Sequence, residues 1–194
     1  MENNKSRIVF DPVSHIYRVD GKIVPSVTQL LPKQDFFVSE ERLEECAAEG
    51  RENHKEIEEF LKTGISTSGR TEAMQKFMSE RKNEIGGLVA SELPIASVKG
   101  FAGTPDAIFE KAIVDFKRSF GNKKIHTLQT AGYHLLAVEN GLIKPTKLHY
   151  ILILNDDGGY DLNMVYDAMA EMTFLSLVQR YKIDKAVEYY MNKI

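Results

Sequence analysis

Hydrophobic and polar positions along the chain switch between strand-like and helix-like spacing, and the switches divide it into elements. In SHIYRVDGKIVPSVTQLL, apolar-containing strands flank Asp20-Gly21, a strong two-residue hairpin signal. Ser26 and Gln29 then have capping-box spacing ahead of Leu30 and Leu31, and Pro32 keeps that helix short. A second helix is expected after Ser39, with Glu40 and Glu41 suited to its positive end. Its stripe runs through Leu43, Ala47, Gly50, His54, Ile57 and Leu61, in steps of three or four, and Gly64 closes it. A further helix is predicted over about 71–83.

From Leu88 the texture becomes strand-like, in LVASELPIASV, KGFAGTPDAIFE and KAIVDFKRS. His126 to Asn140 reads as a helix with Leu128, Ala131, Leu135 and Val138 on one face and Gly141 at its end. KLHYILILN is a nearly continuous apolar strand, as expected of one covered on both faces. DDGG is a turn, YDLNMVY an alternating strand, and 168–191 a terminal amphipathic helix. This order predicts one α/β domain over 1–194, a mixed central sheet flanked by helices, with a hairpin and short helix in 1–35.

Composition adds exclusions. Hydrophobic residues are 43% and charged residues 27%, which argues against disorder. No apolar run approaches the roughly 18–20 residues that cross a bilayer, and MENNKSRIVF suggests neither a signal nor a transit peptide. Cys46 stands alone, so an internal disulfide and a cysteine-built zinc site are both excluded. The expected location is cytoplasmic, without a membrane partner. A net charge of −3 neither supports nor excludes a nucleic-acid partner. Its distribution is uneven, with acidic residues crowding 40–59 and a basic run of Lys117, Arg118, Lys123, Lys124 and His126 in and after one strand.

The candidate chemistry lies in GTPDAIFEKAIVDFKRS, residues 103–119. Asp115 and Lys117 are two apart on a strand and share a face, while Val114 and Phe116 point the other way. A turn at Glu110-Lys111 sets Phe109 opposite Ala112 and Ile108 opposite Ile113, and the same register carries Asp106 opposite Asp115. Two facing carboxylates repel. A divalent cation removes that penalty, and oxygen ligands favour a hard ion such as Mg²⁺ or Mn²⁺, one or two of them. Lys117 beside them would position water or neutralise charge developing on a phosphate, which together suits phosphodiester hydrolysis. Against this, D-x-K on a strand is common, and a one-residue register slip would move every side chain to the other face. Glu92, in VASELPIAS, is a candidate third ligand, with an exposed edge glutamate as the plain alternative.

Together these residues resemble the PD-(D/E)XK nuclease superfamily, in its RecB-like branch. GTPD resembles the family's G-x-x-D segment, which implies a metal-binding Asp106, and VDFK resembles its (D/E)-x-K strand, which implies Asp115 as ligand and Lys117 as catalytic lysine. LQTAGY resembles the Q-x-x-x-Y motif, giving Gln129 and Tyr133, and GRENH resembles G-x-x-x-H, giving Gly50 and His54. Glu92 resembles the glutamate of the first core strand. VPSVTQLL is similar to the opening segment of phage-type exonucleases and of the mitochondrial genome-maintenance exonuclease. The resemblance implies a restriction-endonuclease-like core and a metal held by Asp106, Asp115, Glu92, His54 and the Phe116 carbonyl. It further implies that Gln129 and Tyr133 position Lys117 and the scissile strand, with phosphate contacts from a loop carrying Arg118, Lys123, Lys124 and His126.

The expected function is therefore a metal-dependent deoxyribonuclease, an exonuclease on DNA ends or single strands in replication, recombination or repair, in a bacterial or phage-infected cell. No G-x-x-x-x-G-K-[ST] occurs, and no iron–sulfur cysteine pattern. Processivity would then come from encircling, oligomerisation, or a single-strand-binding or recombination partner. The rival is a catalytically silent binding module on the same fold, against which the intact Asp/Asp/Lys set weighs. A restriction-type endonuclease ranks last, since nothing resembles an added recognition domain.

Overall fold

The computed structural model describes residues 8–33 and 40–193. Strands β1 (Ile8–Asp11), β2 (Ile16–Val19) and β3 (Lys22–Val24) form a small antiparallel sheet. The β2–β3 turn is the expected Asp20-Gly21, with both residues at positive φ (49° and 79°) as a type I′ turn requires. The strand β1 is an addition to the predicted hairpin. Helix α1 (Val27–Leu30) starts at Ser26, where the capping box forms in both directions with Gln29. Ser39, the expected cap of the next helix, lies outside the described residues.

Helix α2 (Glu40–Thr63) runs to Gly64, which takes φ 71°. The helix predicted over 71–83 is two pieces, α3 (Gly69–Glu80) and α4 (Lys82–Ile85). Arg81 joins them at φ −101° and ψ 5°, outside helical geometry. The segment 88–98 is likewise divided, into β4 (Leu88–Ser91) and β5 (Ile95–Ser97), which enter different sheets. The break falls at Glu92, whose φ of 48° no extended strand tolerates. Then follow β6 (Phe101–Gly103), β7 (Ala107–Phe109), β8 (Ala112–Phe116), α5 (Lys123–Glu139), β9 (Leu148–Leu154), β10 (Tyr160–Met164) and α6 (Ala170–Met191).

The central sheet has the order β10-β9-β8-β7-β4, and β5 pairs with β6 apart from it. All neighbours are antiparallel except β8 and β9, which are parallel. A parallel pair needs a crossover, and α5 supplies it. The fold is thus mixed α/β, a mixed sheet flanked by helices. Side-chain alternation along β7 and β8 divides the core. Ile108 and Ile113 pack with Val27, Tyr133, Leu136 and Phe174 from the α1, α5 and α6 side. Phe109, Val114 and Phe116 pack with Ile57, Phe60, Met74 and Phe77 from the α2 and α3 side. The predicted register is observed, with Phe109 opposite Ala112 and Ile108 opposite Ile113.

Helix α5 is buried on more faces than one stripe allows. Gln129, Thr130, Tyr133 and His134 are buried, whereas Leu128, Leu135 and Val138 of the predicted stripe are only partly so. Helix α6 crosses α5 at Gly132, where an added Cβ would meet the Phe174 ring at 2.8 Å and Val27 at 2.9 Å. Gly132 shares its helix face with Gln129 and Tyr133, so this close approach buries that face of α5 against α1 and α6.

Candidate active site

The site forms where β7 begins and β8 ends. The Thr104-Pro105-Asp106 turn between β6 and β7 brings Asp106 to the end of β8, and Asp106 Oδ2 accepts the Phe116 backbone N–H at 2.6 Å. The strand register therefore reaches the aspartate through its side chain. The left-handed conformation at Glu92, of a kind that costs roughly 1–3 kcal/mol, turns the chain sharply just after β4. Its backbone N–H is donated to the Pro105 and Asp106 carbonyls at 3.1 and 3.2 Å, so the two acidic residues are fixed to each other. His54 arrives from α2, held edge-on against the Phe116 ring at 5.9 Å. Its Nδ1 lies 3.3 Å from Glu92 Oε1 and 3.4 Å from Asp106 Oδ1.

His54, Glu92 and Asp106 each offer a ligand atom within 4.8 Å of the others. Ligands at about 2.1 Å from one ion lie up to roughly 4.2 Å apart, so small side-chain movements would close the set around a single cation. Asp115 is not in this group. It is fully buried, with Lys117 Nζ 2.6 Å from Oδ2, while Oδ1 has no hydrogen-bond partner among the described residues. An orphaned, buried carboxylate oxygen beside three converging donors fits a site built for a cation.

The electrostatics agree. Burial raises the Asp106 pKa, and the negative Asp115 raises it further, against the opposing pull of His54 and Lys117. Asp106 in turn holds the His54 pKa well above its ordinary value, outweighing burial, with Glu92 adding to the effect. For Lys117 burial works against the charge, but Asp115 and Asp106 more than compensate and keep it an ammonium. Behind it, Gln129 Nε2 donates to the Tyr133 hydroxyl at 3.3 Å. Burial, reinforced by both aspartates, pushes the Tyr133 pKa well up, so the phenol stays neutral and free to donate its proton.

Two clefts, of about 500 and 410 Å³, meet here and share Gly50, His54 and Lys117 in their walls. Glu92, Asp106, Gln129 and Tyr133 line the second, and Phe116 lines the first.

The basic residues expected in one loop are placed otherwise. Lys123, Lys124 and His126 belong to the first turn of α5, because Asn122 caps that helix by accepting from the Lys124 and Ile125 N–H groups. Lys123 and Lys124 are exposed. His126 is buried, its ring beside Phe120 and neither nitrogen hydrogen-bonded among the described residues, and burial lowers its pKa. Arg118 is ion-paired with Glu49. Sequence reasoning passed over Phe10 and Tyr17, which line the second cleft. Their signal was a cross-strand aromatic pair, visible only once β1 is set against β2.

No family model matches the chain, and no curated protein matches it. Among solved structures, the alkaline exonuclease LHK-Exo from Laribacter hongkongensis superposes with a TM-score of 0.39 at 17% identity, covering 86% of this chain and 89% of that one. The same exonuclease in complex with dAMP gives 0.41 at 16% identity, covering 88% and 92%. Likeness at this level assigns no activity, and the functional reading rests on the site.

Proposed function

We propose that the protein is a metal-dependent DNA nuclease of the PD-(D/E)XK type, hydrolysing phosphodiester bonds as an exonuclease on DNA ends or single strands. The observation that carries the reading is the convergence of His54, Glu92 and Asp106 beside the buried Asp115–Lys117 pair. These three residues would hold a divalent ion, with Asp115 and the Phe116 carbonyl as further oxygen donors. A nitrogen donor in the set favours Mn²⁺ somewhat over Mg²⁺. When bound, such an ion neutralises phosphate charge and lowers the pKa of coordinated water.

The chain's own groups do the rest. Lys117, kept charged by Asp115 and Asp106, orients the attacking water and stabilises negative charge growing on the phosphoryl oxygens. Tyr133, neutral and steadied by Gln129, donates a hydrogen bond to the scissile strand. Lys123 and Lys124 at the exposed start of α5, and Arg118 if it leaves Glu49, contact backbone phosphates. His126, being buried, acts at most by packing.

The test is cleavage of end-labelled single- and double-stranded DNA with Mg²⁺, Mn²⁺ or EDTA, beside Lys117→Ala. Metal-dependent cleavage that disappears in the variant is expected, with the product ladder separating exonuclease from endonuclease. DNA binding without cleavage in either metal would leave a silent binding module as the better reading.

A further inference from the structure

The smaller cleft differs from its neighbour in two respects. Its wall carries Phe10, His15 and Tyr17 from the N-terminal sheet. Phe10 and Tyr17 are direct partners across β1 and β2, with rings stacked at a centroid distance of 4.5 Å and 23°. Exposed His15, at φ 55°, sets its ring edge-on to Phe10 at 5.4 Å. Tyr17 is buried, and its hydroxyl is hydrogen-bonded to Thr104 Oγ1 at 2.8 Å. The ring cluster is thus tied to the same Thr104-Pro105-Asp106 turn that presents the aspartate.

The second difference is charge. Arg51 and Lys55, one turn apart on α2 and flanking His54, line the smaller cleft, are exposed, and have no ion pair among the described residues. In the larger cleft the arginines are committed, Arg70 to Glu56 and Asp156, and Arg118 to Glu49. Uncommitted cations beside aromatic rings are the combination that holds single-stranded nucleic acid, since every base has a face to stack and every phosphate a charge to pair. The bases of an intact duplex end are already stacked on one another and gain less from such a wall.

We propose that this cleft is a subsite for an unpaired DNA end. A terminal base stacks on the Phe10 ring beside His15 and its phosphates pair with Arg51 and Lys55, which leads the adjoining phosphodiester to Asp106 and Lys117. The proposal rests on the nuclease reading and adds the substrate class, a single-stranded rather than a blunt end.

The experiment is metal-free binding, in EDTA, of a short single-stranded oligonucleotide carrying terminal 2-aminopurine, beside a blunt hairpin duplex. Wild type, Phe10→Leu and Phe10→Trp are compared. Stacking quenches 2-aminopurine fluorescence, so wild type and Phe10→Trp should quench it. Phe10→Leu should lose the quench and bind the single strand roughly 5- to 150-fold more weakly, with duplex binding unchanged as its own control for folding. Wild-type quench and affinity in Phe10→Leu would overturn the subsite while leaving the nuclease reading intact. If the wild-type protein neither bound nor, with Mn²⁺, cut any DNA, the nuclease reading itself would fall, and the subsite with it.

Discussion

Buried polar clusters occupy both ends of the parallel pair β8–β9, and they are built on opposite plans. At the end where β9 begins, His149 lies beside His134, the rings 4.8 Å apart, with Tyr166 edge-on to His149. His134 uses both nitrogens, Nδ1 toward Glu171 at 2.5 Å and Nε2 accepting the Thr146 N–H at 3.0 Å. None of these residues lines either cleft at Lys117. At the end where β8 finishes, carboxylates face one another, one carboxylate oxygen is orphaned, and two clefts open onto the group. The cluster that ties α5, β9 and α6 together is held by both nitrogens of His134 and carries no facing carboxylates, although His149 Nε2 is buried with no partner among the described residues. A cluster that awaits a ligand leaves charge unbalanced where solvent and substrate can reach it.

Substitutions at the two ends should therefore separate activity from stability. Asp115→Asn keeps the shape of the side chain but deprives Lys117 of its counterion and removes a candidate ligand. Cleavage should fall by at least about 10²–10³-fold. His149→Phe should cut DNA at the wild-type rate near neutral pH. Measuring both rates under identical conditions would break the comparison if the order were reversed.

The sealed end should reveal itself in pH dependence. Burial, with His134 nearby, lowers the His149 pKa from 6.5 to about 4. A histidine depressed in the fold contributes stability that is complete above its unfolded value and is lost as pH falls through its folded value. The window is therefore pH 6.5 down to about 4, and the difference amounts to about 3 kcal/mol. Urea unfolding of wild type and His149→Phe across that range should show the wild type losing this increment relative to the variant. Parallel curves would mean that His149 is already compensated.

The open end should respond to metal instead. Mn²⁺ at a hundredfold its dissociation constant stabilises a protein that binds it only when folded by about 2.7 kcal/mol. The wild-type melting temperature should rise accordingly with Mn²⁺. In Glu92→Gln and Asp106→Asn the rise should shrink or vanish. An undiminished rise in both variants would place the cation elsewhere.

Much of this site was legible in the residues, for reasons that differ by position. Asp115 and Lys117 follow from strand alternation alone. The tight Glu110-Lys111 turn leaves one register, observed as far as Ala107 opposite Val114, and Asp106, just before β7, reaches the end of β8 through its side chain on the Phe116 N–H rather than as a strand partner of Asp115. Glu92 could be named but not placed, since a strand was expected where the chain turns left-handed, and φ at a glutamate leaves no trace in the sequence. Lys123 and Lys124 fall in the helix rather than in a loop because Asn122 is an N-cap residue whose cap starts the helix at Lys123 rather than at His126. The stripe expected on α5 is real, with Ala131 buried and Leu128, Leu135 and Val138 packed against the core, but it is not the whole buried surface of the helix. Periodicity finds one buried face, whereas tertiary packing at Gly132 buries another.

Gly50 offers the finest test of the open end, because folding and function should move in opposite directions there. It sits within α2 and lines both clefts, and among the described residues an added Cβ would meet nothing within 4 Å beyond its own stretch of helix. Glycine inside a helix costs roughly 0.8–1 kcal/mol relative to alanine, and no described residue opposes the methyl group. Gly50→Ala should therefore melt higher, by about 1 kcal/mol. The methyl would stand in the space where the two clefts meet, so DNA should bind several-fold more weakly, through KM more than kcat. A variant that was both more stable and fully active would show that Gly50 is no part of the substrate path, and the clefts would then have to be engaged from the hairpin side alone.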